Sequence, residues 1–281
     1  TDEINFNPKY VSNYLSAIIL ENNNNSNDAL KYFNSSKILI NKHSEYLKKY
    51  VKTLVANGDV QKSINVIKQN KNKSSSSFFE ADLLLLIDNF KKKNFYENIE
   101  LLNEFEGYKD YGNYEYIIYE VLNSYNNLFL SKEPSFNNNN FGKLSSINQA
   151  FQYCYLNQSE TSSAFINIIN SNEGDYTRYL FFYFNNLIKN KDFESTQQIS
   201  KTINMLDSNL LIQQSKRWID ESNYKKFSQI FSCNNEEDIL AEFFFLISNF
   251  VGADGDFKKL SFYSNISNYL NPKFYFNLTH L

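Results

Sequence analysis

Glycine and proline are scarce in this chain, with 7 Gly and 3 Pro among 281 residues. Tight turns draw on both, so an all-β sandwich or barrel is disfavoured. Histidine is scarcer still, and His43 and His280 are the whole set. A Ser/His/Asp or Cys/His nucleophile needs a positioned imidazole; His43 reads as an exposed junction residue, and His280 lies one residue from the end. Cys154 and Cys233 are the only cysteines and lack CxxC spacing. The usual Cys/His zinc set therefore cannot be assembled, and no metal or other cofactor is expected. The two cysteines are expected as buried free thiols, although a disulfide between them is possible. Neither sign of charge is in large excess, with 28 Lys+Arg against 31 Asp+Glu and a formal net charge of -3. That balance leaves no cationic surplus to neutralise phosphates, so nucleic acid is not the expected partner. Long apolar runs are also missing: the richest stretches, 83–87 and 243–247, are far too short to span a bilayer. The glycines at 252–256 come without the Lys of a phosphate loop or the spacing of a calcium loop, and read as a turn.

What the chain does have is 44 Asn, 26 Phe and 21 Tyr. This enrichment fits an AT-rich genome; the Asn residues are interleaved with helical apolar periodicity, unlike a prion-like tract. Through them runs a recurring pattern, an apolar residue, two spacers, a variable residue, then an apolar position four further on. It appears as Val60/Ser63/Ile67, Phe95/Asn98/Leu102 and Tyr224/Phe227/Phe231. The variable residue falls at Ala29, Ser63, Asn98, Ala164, Thr196, Phe227 and Leu260, steps of 34, 35, 66, 32, 31 and 33 residues. The long step is a double one, so a degenerate unit is expected between Asn98 and Ala164. Eight units of this length nearly fill the chain.

Each unit divides into two apolar-periodic halves. In the second, Tyr46, Leu47, Tyr50, Val51, Leu54 and Val55 draw one helical face. Asn57, Gly58 and Asp59 break it, and Val60, Ile64 and Ile67 restart it. Hairpins this short cannot bury their own faces, so neighbours must stack. The polar 71–77 stretch reads as an exposed connection. Residues 131–143, with Pro134, an Asn run and Gly142, read as an irregular loop replacing most of one unit's second helix. It divides an N-terminal set of repeats (1–130) from a C-terminal set (144–281), within one continuous stack. Segments 179–184 and 241–247 are apolar almost all round, as helices sandwiched between neighbours would be, and Trp218 reads as a packed residue.

This phasing resembles the tetratricopeptide repeat. Ala17 matches its small residue of the first helix, and Ala29, Phe33 and Ser36 match the small–aromatic–small triplet of the second. Phe257, Leu260, Ser264, Ser267 and Pro272 occupy the corresponding places in the last unit, while Ala164 and Ser171 fit in the middle. The arrangement also looks like divergent tetratricopeptide-repeat proteins of alphaproteobacteria. The resemblance implies an all-α fold, a right-handed superhelical solenoid of hairpins. It also implies a non-catalytic, protein- or peptide-binding scaffold within an assembly, in the cytoplasm or the periplasm. First helices line the concave face in that family, which carries partner contact onto Tyr14, Glu45, Lys48, Lys52, Arg178, Asn185, Lys189, Lys216 and Asn249.

Two other readings belong to different classes. An RNA-binding helical repeat would need a positive concave stripe. A carboxylate-dependent glycan-processing enzyme would need two carboxylates facing across a pocket, about 5–10 Å apart. The available clusters, Glu104/Glu106 and 236–238, read as connection and first-turn residues. Pro272 closes a unit nine residues before Leu281, so an open apolar end is expected there, with self-association through it.

Overall fold

Among the described residues, eight of the nine with positive φ stand just past a helix. The computed structural model describes residues 7–70, 77–105, 113–137, 139–172 and 174–278. In it, φ is positive at Asn24, Gly58, Lys93, Lys132, Asn157, Lys191, Ser222 and Gly255, each just past a helix. Successive steps are 34, 35, 39, 25, 34, 31 and 33 residues. At seven of them the next amide reaches back five residues, as from Asn25 to Leu20 O (2.9 Å), Asp59 to Leu54 O (2.8 Å) and Asn223 to Trp218 O (2.7 Å). This closure satisfies carbonyls left open at a helix end. The residue after the turn then caps the following helix: Asn25 accepts from Asp28 N (3.2 Å), Asp192 from Ser195 N (3.1 Å) and Asp256 from Lys259 N (3.0 Å).

The described residues are all-helical, with fifteen α-helices and no strand. Seven hairpins result: α1 (Pro8–Asn22) with α2 (Ser26–Ser35), α3 (Ser44–Ala56) with α4 (Val60–Asn70), α5 (Phe79–Lys92) with α6 (Glu97–Phe105), α8 (Lys143–Tyr155) with α9 (Thr161–Ile169), α10 (Tyr179–Lys189) with α11 (Phe193–Lys201), α12 (Leu210–Asp220) with α13 (Lys225–Ile230), and α14 (Glu236–Ala253) with α15 (Phe257–Leu270). The helix α7 (Asn113–Ser131) has no second helix, because the segment up to Gly142 takes its place. The breaks at 57–59 and 252–256 and the loop after residue 131 thus fall where sequence puts them. The ruler needs one correction. Six of its positions lie five residues past a left-handed residue, but Ala164 lies seven past Asn157 and is half-buried, as is Ser171. The packing face of α9 is Thr161, Phe165 and Ile168. Of the other expected features, 71–76, Glu106 and His280 lie outside the described residues.

Most consecutive helices pack in chain order, but the last hairpin does not stay with its sequence neighbours. Helix α15 packs on α3 and α4, and α14 on α5. Asn265 donates to Ala56 O (3.1 Å) and Tyr269 OH to Gln61 (2.6 Å). Along α14, Glu237 meets Lys91 of α5 (2.7 Å), Phe243 meets Tyr125 of α7, and Glu242 meets Arg178 beside α10. A repeat stack in which each unit touches only its neighbours makes no such contacts. Here α14 is the helix that others surround, which explains why 239–247 is almost wholly buried. The two hairpin helices lie close: a Cβ on Gly252 would collide with Leu260 Cδ1. The apolar face expected to be open at the C-terminal end is covered by α3 and α4, with Ile266 and Leu270 buried. One apolar cluster runs from Leu47 to Phe276, across both sides of the 131–143 loop.

The cysteines correct another expectation. Cys154 of α8 and Cys233, just before α14, form a disulfide across 79 residues. Spacing alone could not reveal this, because folding brings the α8 end against the α13–α14 connection. A covalent tie of that span restricts the unfolded chain, so its reduction is expected to lower stability by about 2–4 kcal/mol. Urea midpoints with and without dithiothreitol read this directly; identical midpoints would mean the thiols are not joined.

The acidic first turn of α14 is where sequence puts it, yet its residues do more than complement the helix dipole. Glu236 accepts from Tyr155 OH (2.7 Å) and pairs with Lys93 (3.2 Å). Asp238 accepts from Ser232 N (2.8 Å), and burial, aided by Glu237, pushes its carboxyl up to about 6. A raised folded-state value favours folding below the unfolded value and loses that benefit as pH rises through about 6. The swing is at most about 3 kcal/mol, and about 1–2 after partial solvation. Asp238→Asn is therefore expected to raise the melting temperature at pH 8 but not at pH 4. An equal change at both would contradict the assignment.

Candidate functional site

A cleft of about 460 Å³ lies where the first and last hairpins meet. Its walls come from the α1–α2 turn, α3, α5 and α15. Phe262 and Tyr263 form a buried apolar wall, joined by Thr53, Ala56 and Leu260. Tyr263 is a neutral phenol: burial, then the carboxylates of Glu115, Glu80 and Asp256, raise its pKa well above the usual value. Phe257, mostly exposed, stands at the rim.

Charges of both signs complete the lining. Glu80 pairs with Lys52 at 3.0 Å. Burial opposes its charge, but the ammonium groups of Lys52 and Lys48 outweigh this and hold its carboxyl below the usual range. Glu21 is less well served. Its side chain is 11% exposed, and its closest cations, Lys49 and Lys258, are each 3.5 Å away. Its Oε2 is buried and accepts no hydrogen bond among the described residues. Lys49 Nζ stands 3.5 Å from that oxygen, an ion pair longer than a good hydrogen bond, and Glu21 is one of the residues lining the cleft. The chemistry it suits is an N–H donor cation carried on an apolar body. Glu80, held ionised, is not poised as a general acid near neutral pH.

The residues expected to contact a partner are distributed differently. Lys52 lines this cleft, and Lys48 is half-buried on the same helix. Glu45 is exposed, its amide donating to His43 Nδ1 at 3.1 Å. Tyr14 is a correction: it is buried against the rings of Phe33, His43 and Tyr46, because α1 packs that face onto α2 and α3. Three others hold the chain's own segments. Arg178 forks onto Glu242 (2.8 and 2.7 Å) and reaches Asn277, Asn185 donates to Phe231 O (2.8 Å), and Lys189 donates to Asn157 and Asn234. Lys216 donates to Ser200 O (3.1 Å), and Asn249 is half-exposed on α14. Sequence reasoning therefore chose polar positions on or beside helices without showing which of them bond within the chain. It missed Glu21, Glu80 and Lys258, whose units are adjacent only after folding.

Among the described residues, no group of three or more His, Cys, Asp or Glu could hold a metal ion, and no helix is long and apolar enough to cross a membrane. No protein-family model, no curated protein and no solved structure matches the chain.

Proposed function

We propose that the chain is a non-catalytic protein-binding scaffold. In this reading it is a divergent tetratricopeptide-like, right-handed stack of hairpins closed by its own last hairpin. Support for the stack comes from the left-handed turn residues, which return every 31 to 35 residues outside the interrupted fourth unit. The binding site is the cleft between α1, α3, α5 and α15, and its ligand is a Lys or Arg side chain of a partner segment, with an apolar neighbour. The observation carrying this is the Glu21 carboxylate in the cleft wall, whose Oε2 accepts no hydrogen bond and whose nearest cations, Lys49 and Lys258, stand off at 3.5 Å. An incoming ammonium or guanidinium would supply that donor, while Phe257, Leu260 and Phe262 would receive the apolar part.

The Cys154–Cys233 bond supports placing the protein in an oxidising compartment, because cytosolic thiols are generally kept reduced. Between the cytoplasmic and periplasmic expectations, this reading takes the latter.

A photo-crosslinking residue at Phe257 tests the proposal. The expected result is a crosslinked partner peptide with Lys or Arg at the contact, and retention weakened about tenfold by Glu21→Gln. Retention unaffected by Glu21→Gln, or crosslinked peptides without a basic residue, would contradict it.

A further inference from the structure

The interrupted fourth unit leaves a trough that the scaffold reading does not use. Elsewhere a second helix packs beside the first, but after α7 the described residues up to Gly142 form an irregular strap and no helix. The flank of α8 is left open. Two adjoining clefts of about 270 and 330 Å³ lie along it, sharing Ser146 and Gln149. We propose that this trough binds a neutral oligosaccharide.

The lining chemistry points that way. The first cleft is lined without a single ionisable side chain, by the amides and hydroxyls of residues such as Asn137, Asn139, Ser146 and Gln149 and by Phe136 and Phe141. The second adds Tyr153, with Lys143 and Glu160 as its only charges. Phosphates or uronates would call for a cationic lining. Sugar hydroxyls instead need donors and acceptors side by side, which amides and hydroxyls supply from one group. An aromatic ring offers a negative face to the polarised C–H groups of a pyranose. Phe136 leaves 47% of its surface exposed while its ring packs at a steep angle against Tyr153, 5.6 Å away.

The trough is also held in shape before any ligand arrives. Gln152 accepts from Ser135 N (2.8 Å) and donates to Ser135 O (2.8 Å) and Ser124 Oγ (2.8 Å), pinning the strap to α8 and α7. Gln149 Nε2 donates to Tyr153 OH (2.8 Å), which orients its amide plane. Tyr125 OH donates to Asn148 Oδ1 (3.0 Å), and Phe141 N to Ser145 Oγ (2.9 Å). A strap fixed by this many bonds loses little entropy on binding.

Isothermal titration of the full chain with maltohexaose, cellohexaose, xylohexaose, mannohexaose and chitohexaose provides the test. At least one should bind with a dissociation constant between about 10 μM and 1 mM. Phe136→Ala and Gln149→Ala should each weaken that binding about tenfold or more, and Gln149→Ala, which lies outside the strap, should do so without moving the melting temperature. No heat from any of the five at about 5 mM would overturn the proposal. So would binding that both substitutions leave intact, or tighter binding of an oligogalacturonate than of every neutral probe.

Discussion

A chain ended after Asn235 is expected to lose its cooperative unfolding transition and to expose apolar surface. In an open stack, removing the terminal hairpin deletes one interface and leaves the remaining units folded. Here α14 and α15 carry Phe243, Phe244, Ile247, Phe262, Tyr263 and Ile266, all buried. At about 1.5–3 kcal/mol for each buried side chain, even half of that burial against other units amounts to about 5–9 kcal/mol. Domains of ordinary stability have only about 5–15 kcal/mol to lose. Near-UV circular dichroism and urea titration of the shortened chain decide it. Native-like aromatic signals with a sharp transition would mean that the closure contributes little.

Arg178→Ala is expected to cost about 3–5 kcal/mol, the range for leaving a buried charge without its partner. Glu242 is fully buried, its side chain 0% exposed, and both carboxylate oxygens are held by the Arg178 fork. The guanidinium also lies 4.0 Å from the Phe245 ring centre and 5.1 Å from that of Phe274. Burial already raises the Glu242 pKa, with Arg178 opposing; without the arginine it must rise further. A raised folded-state value stabilises below the unfolded value and loses that benefit with rising pH, so the Arg178→Ala deficit should be smaller at pH 5 than at pH 8. Urea midpoints at the two pH values measure both parts. A loss under about 1 kcal/mol at pH 8 would show the pair to be solvated.

Much of the hairpin pattern was legible because helix turns leave local marks. Asn57, Gly58 and Asp59 break a periodicity, and the segment from 131 lacks any apolar face. Other turns were hidden: Lys93, Lys191 and Ser222 take the left-handed conformation without being Gly or Asn. The closure was not legible for a different reason. Helix α14 is apolar all round, which signals burial but not by what. Its acids meet Lys91, Lys93 and Arg178 from 64 to 146 residues away, and no periodicity encodes such pairs. The cleft shares that fate, since Glu21 and Lys258 are 237 residues apart. Arg178, Asn185 and Lys189 were expected to contact a partner, but a local pattern cannot say that their polar groups bond to other segments of the same chain. The trough was foreshadowed by the Asn run, whose lack of a packing face marks the missing helix.

The last hairpin packs back on α3, α4 and α5. Zero-length carbodiimide cross-linking of the monomer fraction, read by peptide mass spectrometry, tests it most directly. The account predicts Lys91–Glu237 (2.7 Å) and Lys258–Glu21 (3.5 Å) cross-links alongside the neighbouring-unit pair Lys52–Glu80 (3.0 Å). Recovery of Lys52–Glu80 without either long-range pair would contradict closure and leave an open stack in its place.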